Sequence, residues 1–247
     1  MNDFNFFGSK TQWPLLTWFG VTHPFFNVTA STIIATWAVL GALVITLLLC
    51  RFFFHYKKGT IRFVTITIIK AFMNLCAQTL GTFNYRHFSF VMALFLFILY
   101  CNLIGMLPFL EEPTADLNTT LALGTFSFLY ITTQAIKKRG IKKYIGQYFE
   151  PFFLMLPLNV IGKLASVISI SFRLFGNLLG GSVITKIFMS FVGQTPTVWY
   201  LAAVPIFGSI AYVFIASFFG IFEGFIQAFV FSMLSLTYLS TEIADER

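Results

Sequence analysis

The chain has 247 residues, of which 57% are hydrophobic and 10% charged, with a formal net charge of +7. A soluble domain carries about a quarter charged residues. Composition therefore excludes a soluble module and points to an all-α polytopic membrane protein. The basic residues gather in short connecting runs, which reads as membrane topology and not as nucleic-acid binding.

The opening residues, Met1 to Lys10, lack the basic start and short apolar core of a secretory signal. Insertion is expected to use the first uncleaved hydrophobic run, residues 31–50, which ends at a basic patch of Arg51, Lys57, Lys58 and Arg62. In residues 63–80, Lys70, Asn74 and Gln78 recur every four positions and give a polar stripe on an otherwise apolar helix. That pattern fits either a further crossing or an amphipathic helix at the interface.

A second crossing is expected over residues 88–109, followed by an acidic loop with Glu111, Glu112 and Asp116. A third covers 117–136 and runs into Lys137, Lys138, Arg139, Lys142 and Lys143. If 63–80 crossed, its flanking basic loop and this one would lie on opposite sides. Treating 63–80 as interfacial puts both inside and the acidic loop outside, as the positive-inside rule prefers.

Residues 150–192 and 198–240 are each too long for a simple span of ~20 residues, so they must tilt, kink or run partly along the surface. Pro157 and Pro205 offer bends, and the short Gly193–Thr197 connection makes an antiparallel hairpin. The count is five crossings plus one interfacial helix in a single domain, 1–247, with the N-terminus outside and the C-terminus inside. Cys50, Cys76 and Cys101 sit at unrelated spacings in apolar segments and read as small buried hydrophobes. Neither a cofactor nor a metal site is expected.

One charge interrupts the first long segment. Arg173 lies about 15 Å from Lys163 and about 20 Å from Lys186 along a helix, too deep for easy snorkelling. An arginine at that depth costs ~2.5–3.5 kcal/mol on insertion scales and ~10–17 kcal/mol for an isolated helix in simulation. It stays protonated at any accessible pH, so it must face a partner, a water-filled cavity or an ion path. Gly162, Ser166, Ser169, Arg173, Asn177 and Gly181 recur at three- or four-residue steps and share a face. Small residues alone make a packing seam, but packing does not require a charge. On the second long segment, Gly220, Glu223, Gly224 and Gln227 share a face, and Glu223 is the carboxylate away from the ends. It is a candidate proton carrier, or a structural partner of Lys163 or Lys186. Those lysines otherwise read as snorkelling ends.

Arg-Leu-Phe-Gly-Asn at 173–177 and Gln-Ala-Phe-Val-Phe at 227–231 resemble the two signature segments of subunit a of F-type ATP synthases. Asn-Leu-Ile-Gly-Met-Leu-Pro at 102–108 and Pro-Thr-Ala-Asp-Leu-Asn at 113–118 are similar to further segments of that family. The resemblance implies a stator subunit, without a nucleotide site of its own, beside a ring of c subunits that each carry a membrane-embedded carboxylate. It implies peripheral-stalk subunits of the b type as further partners. Arg173 would separate two aqueous half-channels, and Asn177 and Gln227 would support it by hydrogen bonding. Many members carry an acid or histidine where this chain has Ser182 and Gly220, and an acid where it has Asn159. The access path would then rest on Glu223, completed by Ser182 and water, with the ion either a proton or sodium. A bacterial plasma membrane is the expected location, with an organelle's inner membrane as the alternative. A secondary transporter binding an anion at Arg173 is the competing function, although transporters usually show repeated halves and no such repeat is evident here.

Overall fold

The computed structural model describes residues 12–14, 27–55, 60–106, 112–149, 152–194 and 203–243. The described chain is helical apart from a small ribbon absent from the sequence reading, in which β1 (Gln12–Pro14) pairs antiparallel with β2 (Asn27–Thr29). The helices are α1 (Ala30–His55), α2 (Thr60–Leu80), α3 (Tyr85–Ile104), α4 (Leu117–Arg139), α5 (Ile141–Gly146), α6 (Leu156–Gln194), α7 (Ala203–Ser217) and α8 (Gly224–Ile243). A π-helical turn, Phe218–Glu223, joins α7 to α8.

Exposed apolar side chains mark the outside of this bundle. Trp37, Val44 and Leu48 of α1, with Ile210 and Phe214 of α7, point away from the protein. Such faces match lipid, where apolar surface carries no penalty. The inside is a core of Phe72, Leu94, Phe95, Ile98, Ile170, Leu174, Leu178, Ala228 and Phe231, drawn from α2, α3, α6 and α8. Small residues set the closest approaches. A Cβ at Gly224 would sit 2.8 Å from the Asn102 Cβ, and one at Gly181 would sit 2.9 Å from the Phe219 ring. Close backbone approach through small residues is the usual means of packing helices in lipid.

Asn102 explains two of the sequence motifs. Its Nδ2 donates to the Gly224 carbonyl at 3.0 Å, and its Oδ1 accepts from the Thr114 hydroxyl at 3.1 Å. Both Asn102 and Thr114 are fully buried. One amide thus ties α3 to α8 and to the three-ten turn Pro113–Ala115. Asp116 then caps α4 by accepting from the Asn118 backbone N–H at 3.0 Å.

Five described helices are long and apolar enough to cross a membrane: Ser31–Phe52, Arg62–Leu80, Tyr85–Ile104, Phe153–Phe191 and Gly208–Ile243. The number agrees with the sequence reading, but the membership does not. Composition alone admits α2, as the least apolar of the five, and leaves out α4. The reason lies in packing. α4 buries Thr120, Gly124, Ser127, Ile131 and Ala135, at three- and four-residue steps, against α6 and α8, so its inner face is polar and small. The path of α2 is set by its neighbours. Val39 of α1 packs with Cys101 and Ile104 of α3, and the Tyr100 hydroxyl donates to Thr46 Oγ1 at 2.7 Å, so α1 and α3 are antiparallel. The end of α1 and the start of α3 therefore share one end of the bundle, and α2 runs between them through short connections. The Ser240 hydroxyl donates to the Thr79 carbonyl at 2.7 Å, which puts the last turn of α2 beside the end of α8.

The long hairpin differs in detail from expectation. Residues before Leu156 form α5 and two short three-ten turns, and α6 starts only there. Pro157 consequently lies in the first turn of α6, where a missing N–H costs nothing, and does not bend the helix. The irregularity in the second arm is the π turn and not Pro205. The expected connection at Thr195–Thr197 lies outside the described residues, as does Glu111.

Candidate functional site: two cavities flanking Arg173

Arg173 is near the middle of α6 and is exposed on the surface of the chain. Among the described residues it has no hydrogen-bond or ion-pair partner. The stripe expected around it divides in two. Gly162, Ser169 and Arg173 face outward, continued by the exposed Gly176 and Gly180, and a Cβ at Gly162, Gly176 or Gly180 would meet nothing within 4 Å. Asn177 and Gly181 turn inward toward the second arm. What remains outside is a smooth strip of small residues, centred on one cation.

The inward members are held by an antiparallel register. Lys163 pairs with Glu242 at 2.9 Å, Asn177 Nδ2 donates to Gln227 Oε1 at 2.7 Å, and Gly181 packs on Phe219. The resemblance implied that Asn177 and Gln227 support Arg173 by hydrogen bonding, and the bond observed joins these two amides to each other, one turn from Arg173. Gln227 is buried at 3% exposure, so its amide oxygen depends on that one donor.

Two cavities lie on opposite sides of this pair along α6. The larger, about 300 Å³, is lined by Asn177, Ser182 and Thr185 of α6, Tyr212 of α7, Glu223 at the end of the π turn, and Glu112 before the three-ten turn. It has room for several waters and the polar groups to hold them. Glu223 and Ser182 are thus brought together as expected, with the Ser182 hydroxyl donating to the Leu179 carbonyl at 3.0 Å. The smaller cavity, about 60 Å³, has room for a few waters. Ser127, Lys163, Ser166, Ser235, Tyr144 and Glu242 are among its lining residues. The Ser127 and Ser235 hydroxyls there are buried and, among the described residues, have no hydrogen-bond partner. Arg173 lines neither cavity.

Sequence reasoning missed three participants. The Lys163 partner is Glu242, near the end of α8, and not Glu223. The Lys163 ammonium also stands over the rings of Tyr148 and Tyr144, 4.4 and 4.8 Å from their centroids, an arrangement that favours the cation. Glu112 was legible only as part of an acidic loop, because its cavity is assembled from segments far apart in sequence. Burial pushes its carboxyl up from an ordinary 4.5 to about 7. Asn102 sat in a recognised motif whose role needed Gly224 and Thr114 in view. The three cysteines are free, with Cys76 and Cys101 buried. Among the described residues no cluster of histidine, cysteine and acidic side chains could hold a metal ion.

The family model described as ATP synthase A chain matches residues 13–240. ATP synthase subunit a of Moorella thermoacetica is 31% identical over 85% of this chain and 89% of its own length. The subunit a of Desulforamulus reducens is 34% identical over 63% of this chain and 56% of its own length. That of Syntrophobacter fumaroxidans is 36% identical over 75% and 72%. With a match over most of its length and its motifs gathered around one polar site, this chain belongs to the ATP synthase A chain family.

Proposed function

We propose that this chain is the ion-translocating stator subunit of a rotary F-type ATP synthase, offering two half-channels to a ring of c subunits with Arg173 between them. Arg173 itself is the observation that carries the reading. A permanent cation midway along a membrane helix, exposed and without a partner among the described residues, asks for an anion on a neighbour. The strip of Gly162, Ser169, Gly176 and Gly180 lets another helix come close to it.

The chemistry follows from the charges. An ionised ring carboxylate cannot cross lipid bare, but it can pass a fixed guanidinium. Loaded with its ion it is neutral, and faces lipid for the rest of the turn. Arg173 also repels a bare cation and so keeps ions from leaking between the two cavities. Asn177 and Gln227 hold the helices in register beside it, while Glu223 and Ser182 serve the larger cavity. The buried, unpartnered hydroxyls of Ser127 and Ser235 support a water path through the smaller one. The remaining partners are b-type peripheral-stalk subunits.

In this reading α2 lies along the cytoplasmic interface and α4 crosses. Support comes from the shared bundle end of α1, α2 and α3, and from Lys138 and Arg139, which donate to carbonyls at the end of α8. The acidic loop and the N-terminus are then outside, in a bacterial plasma membrane. The test is ATP-driven ion uptake by inverted vesicles carrying Arg173→Ala, measured with and without sodium. Loss of uptake is expected, and uptake at the parental rate would defeat the mechanism.

A further inference from the structure

The larger cavity holds a second carboxylate whose position nothing in the hairpin explains. Glu112 precedes the three-ten turn Pro113–Ala115 with extended backbone, and its carbonyl accepts from the Ala115 N–H at 3.0 Å. Its side chain lies across Gly105 at the end of α3, where a Cβ would land on it. Glycine at 105 thus leaves the space in which Glu112 reaches the cavity shared with Glu223, Ser182, Thr185 and Tyr212. Among the described residues the Glu112 side chain has no hydrogen bond or ion pair, and no lysine, arginine or histidine lines the cavity. Asp116, four residues on, is committed to capping α4. A structural carboxylate would show such a commitment, and Glu112 shows none.

We propose that Glu112 is a proton-carrying carboxylate of the access path, passing protons through cavity water to Glu223. The inference rests on the stator reading above. In the step, the Glu112 O–H bond breaks as its proton moves to a water, and that water releases a proton to the Glu223 carboxylate. Glu112, left ionised, takes a proton from the aqueous side, so charge and atoms balance. A carboxyl poised at about 7 both takes and gives a proton near neutral pH, which suits a relay. The titratable groups facing it are Glu223 from the π turn, Tyr212 from α7 and Cys101 from α3.

The experiment compares the complete synthase in inverted vesicles as parent, Arg173→Ala, Glu112→Gln and Glu112→Asp, reading ATP-driven proton uptake across pH. With Arg173→Ala inactive, Glu112→Gln is expected to slow uptake about tenfold or more and to lose the limb of the pH profile near neutrality, with Glu112→Asp recovering much of it. Parental rate and profile in Glu112→Gln, with Arg173→Ala inactive, would remove Glu112 from the path and leave the stator reading standing. Uptake in Arg173→Ala at the parental rate would remove both. Should Glu112→Gln fail to assemble, Glu112→Cys and Glu223→Cys decide, each in a chain with Cys50, Cys76 and Cys101 replaced by alanine. Labelling of both by a membrane-impermeant cationic thiol reagent from the same side supports the relay. A Glu112→Cys chain left unlabelled, or labelled only from the opposite side, refutes it.

Discussion

Asn177 on α6 and Gln227 on α8, fifty residues apart, meet through a 2.7 Å hydrogen bond that fixes the register of the two long arms. This bond lies one turn from Arg173, so the height of the guanidinium against the second arm is set by an amide pair and not by packing alone. Removing one partner strands the other in a buried site. Hydrogen bonds between membrane helices average ~0.6 kcal/mol and reach ~1.7. Asn177→Leu and Gln227→Leu should each lower the thermal dissociation midpoint of the purified complex, and the double variant should recover much of the loss. Ion uptake should stay low in all three. Recovery of transport in the double variant would make the pair purely structural.

Lys163 and Glu242 are roughly four-fifths buried, so removing one charge leaves the other desolvated. A fully buried pair broken this way loses ~3–5 kcal/mol. The residual exposure here, and the Tyr144 and Tyr148 rings beside the ammonium, keep the loss smaller. Glu242→Gln should reduce the amount of chain recovered with the complex, and Lys163→Met combined with Glu242→Leu should reduce it less. Immunoblotting of membranes measures both, and equal recovery of all variants would argue against a structural pair.

Glycine substitutions should rank by what they strike. At Gly224 a new Cβ meets the Asn102 Cβ at 2.8 Å, a rigid neighbour held by two hydrogen bonds. At Gly220 it meets Cγ and Sδ of Met106, an unbranched side chain that can change rotamer. Gly224→Ala should therefore lower assembly several-fold while Gly220→Ala stays near the parent. The reverse order would overturn the Asn102 clamp.

Glu112 also predicts a pH dependence of stability. Its folded-state value of about 7 lies above the ordinary 4.5, so the folded chain holds the proton more tightly than the unfolded one. The contribution is intact below about 4.5 and is lost as pH rises to about 7. Glu112→Gln cannot ionise. Its dissociation midpoint should match the parent at low pH and exceed it above neutrality. A parent that gains stability over that window relative to the variant would contradict the burial of this carboxyl.

Sequence carried the membrane class, the hairpin, and the place of Arg173 midway along its first arm, because each follows from apolar length and the spacing of charges. It also paired the right helices: Asn177, Gln227, Glu223 and Ser182 all cluster in one region. It did not carry side-chain direction. Three- and four-residue spacing puts Gly162, Arg173 and Asn177 on one face, yet a face is broad enough that Arg173 looks out while Asn177 looks in. Nor could it reveal Glu112 or Glu242, whose surroundings come from loops and helix ends distant in sequence. The rank of α2 and α4 shows the same limit. Apolarity counts residues, whereas a helix enclosed by its own protein can afford threonines and serines that lipid would refuse.

The π turn between Phe218 and Glu223 carries one residue more than regular winding allows. Everything beyond it, Gln227 included, is offset by about 100° from where unbroken α winding through Tyr212 would place it. A single-residue deletion there would let the turn relax to regular winding and keep the amide of Gln227 facing Asn177. The spacing between the two halves of this arm is therefore a phase as well as a distance, and the wide coil is the one place in it where a missing residue would be forgiven.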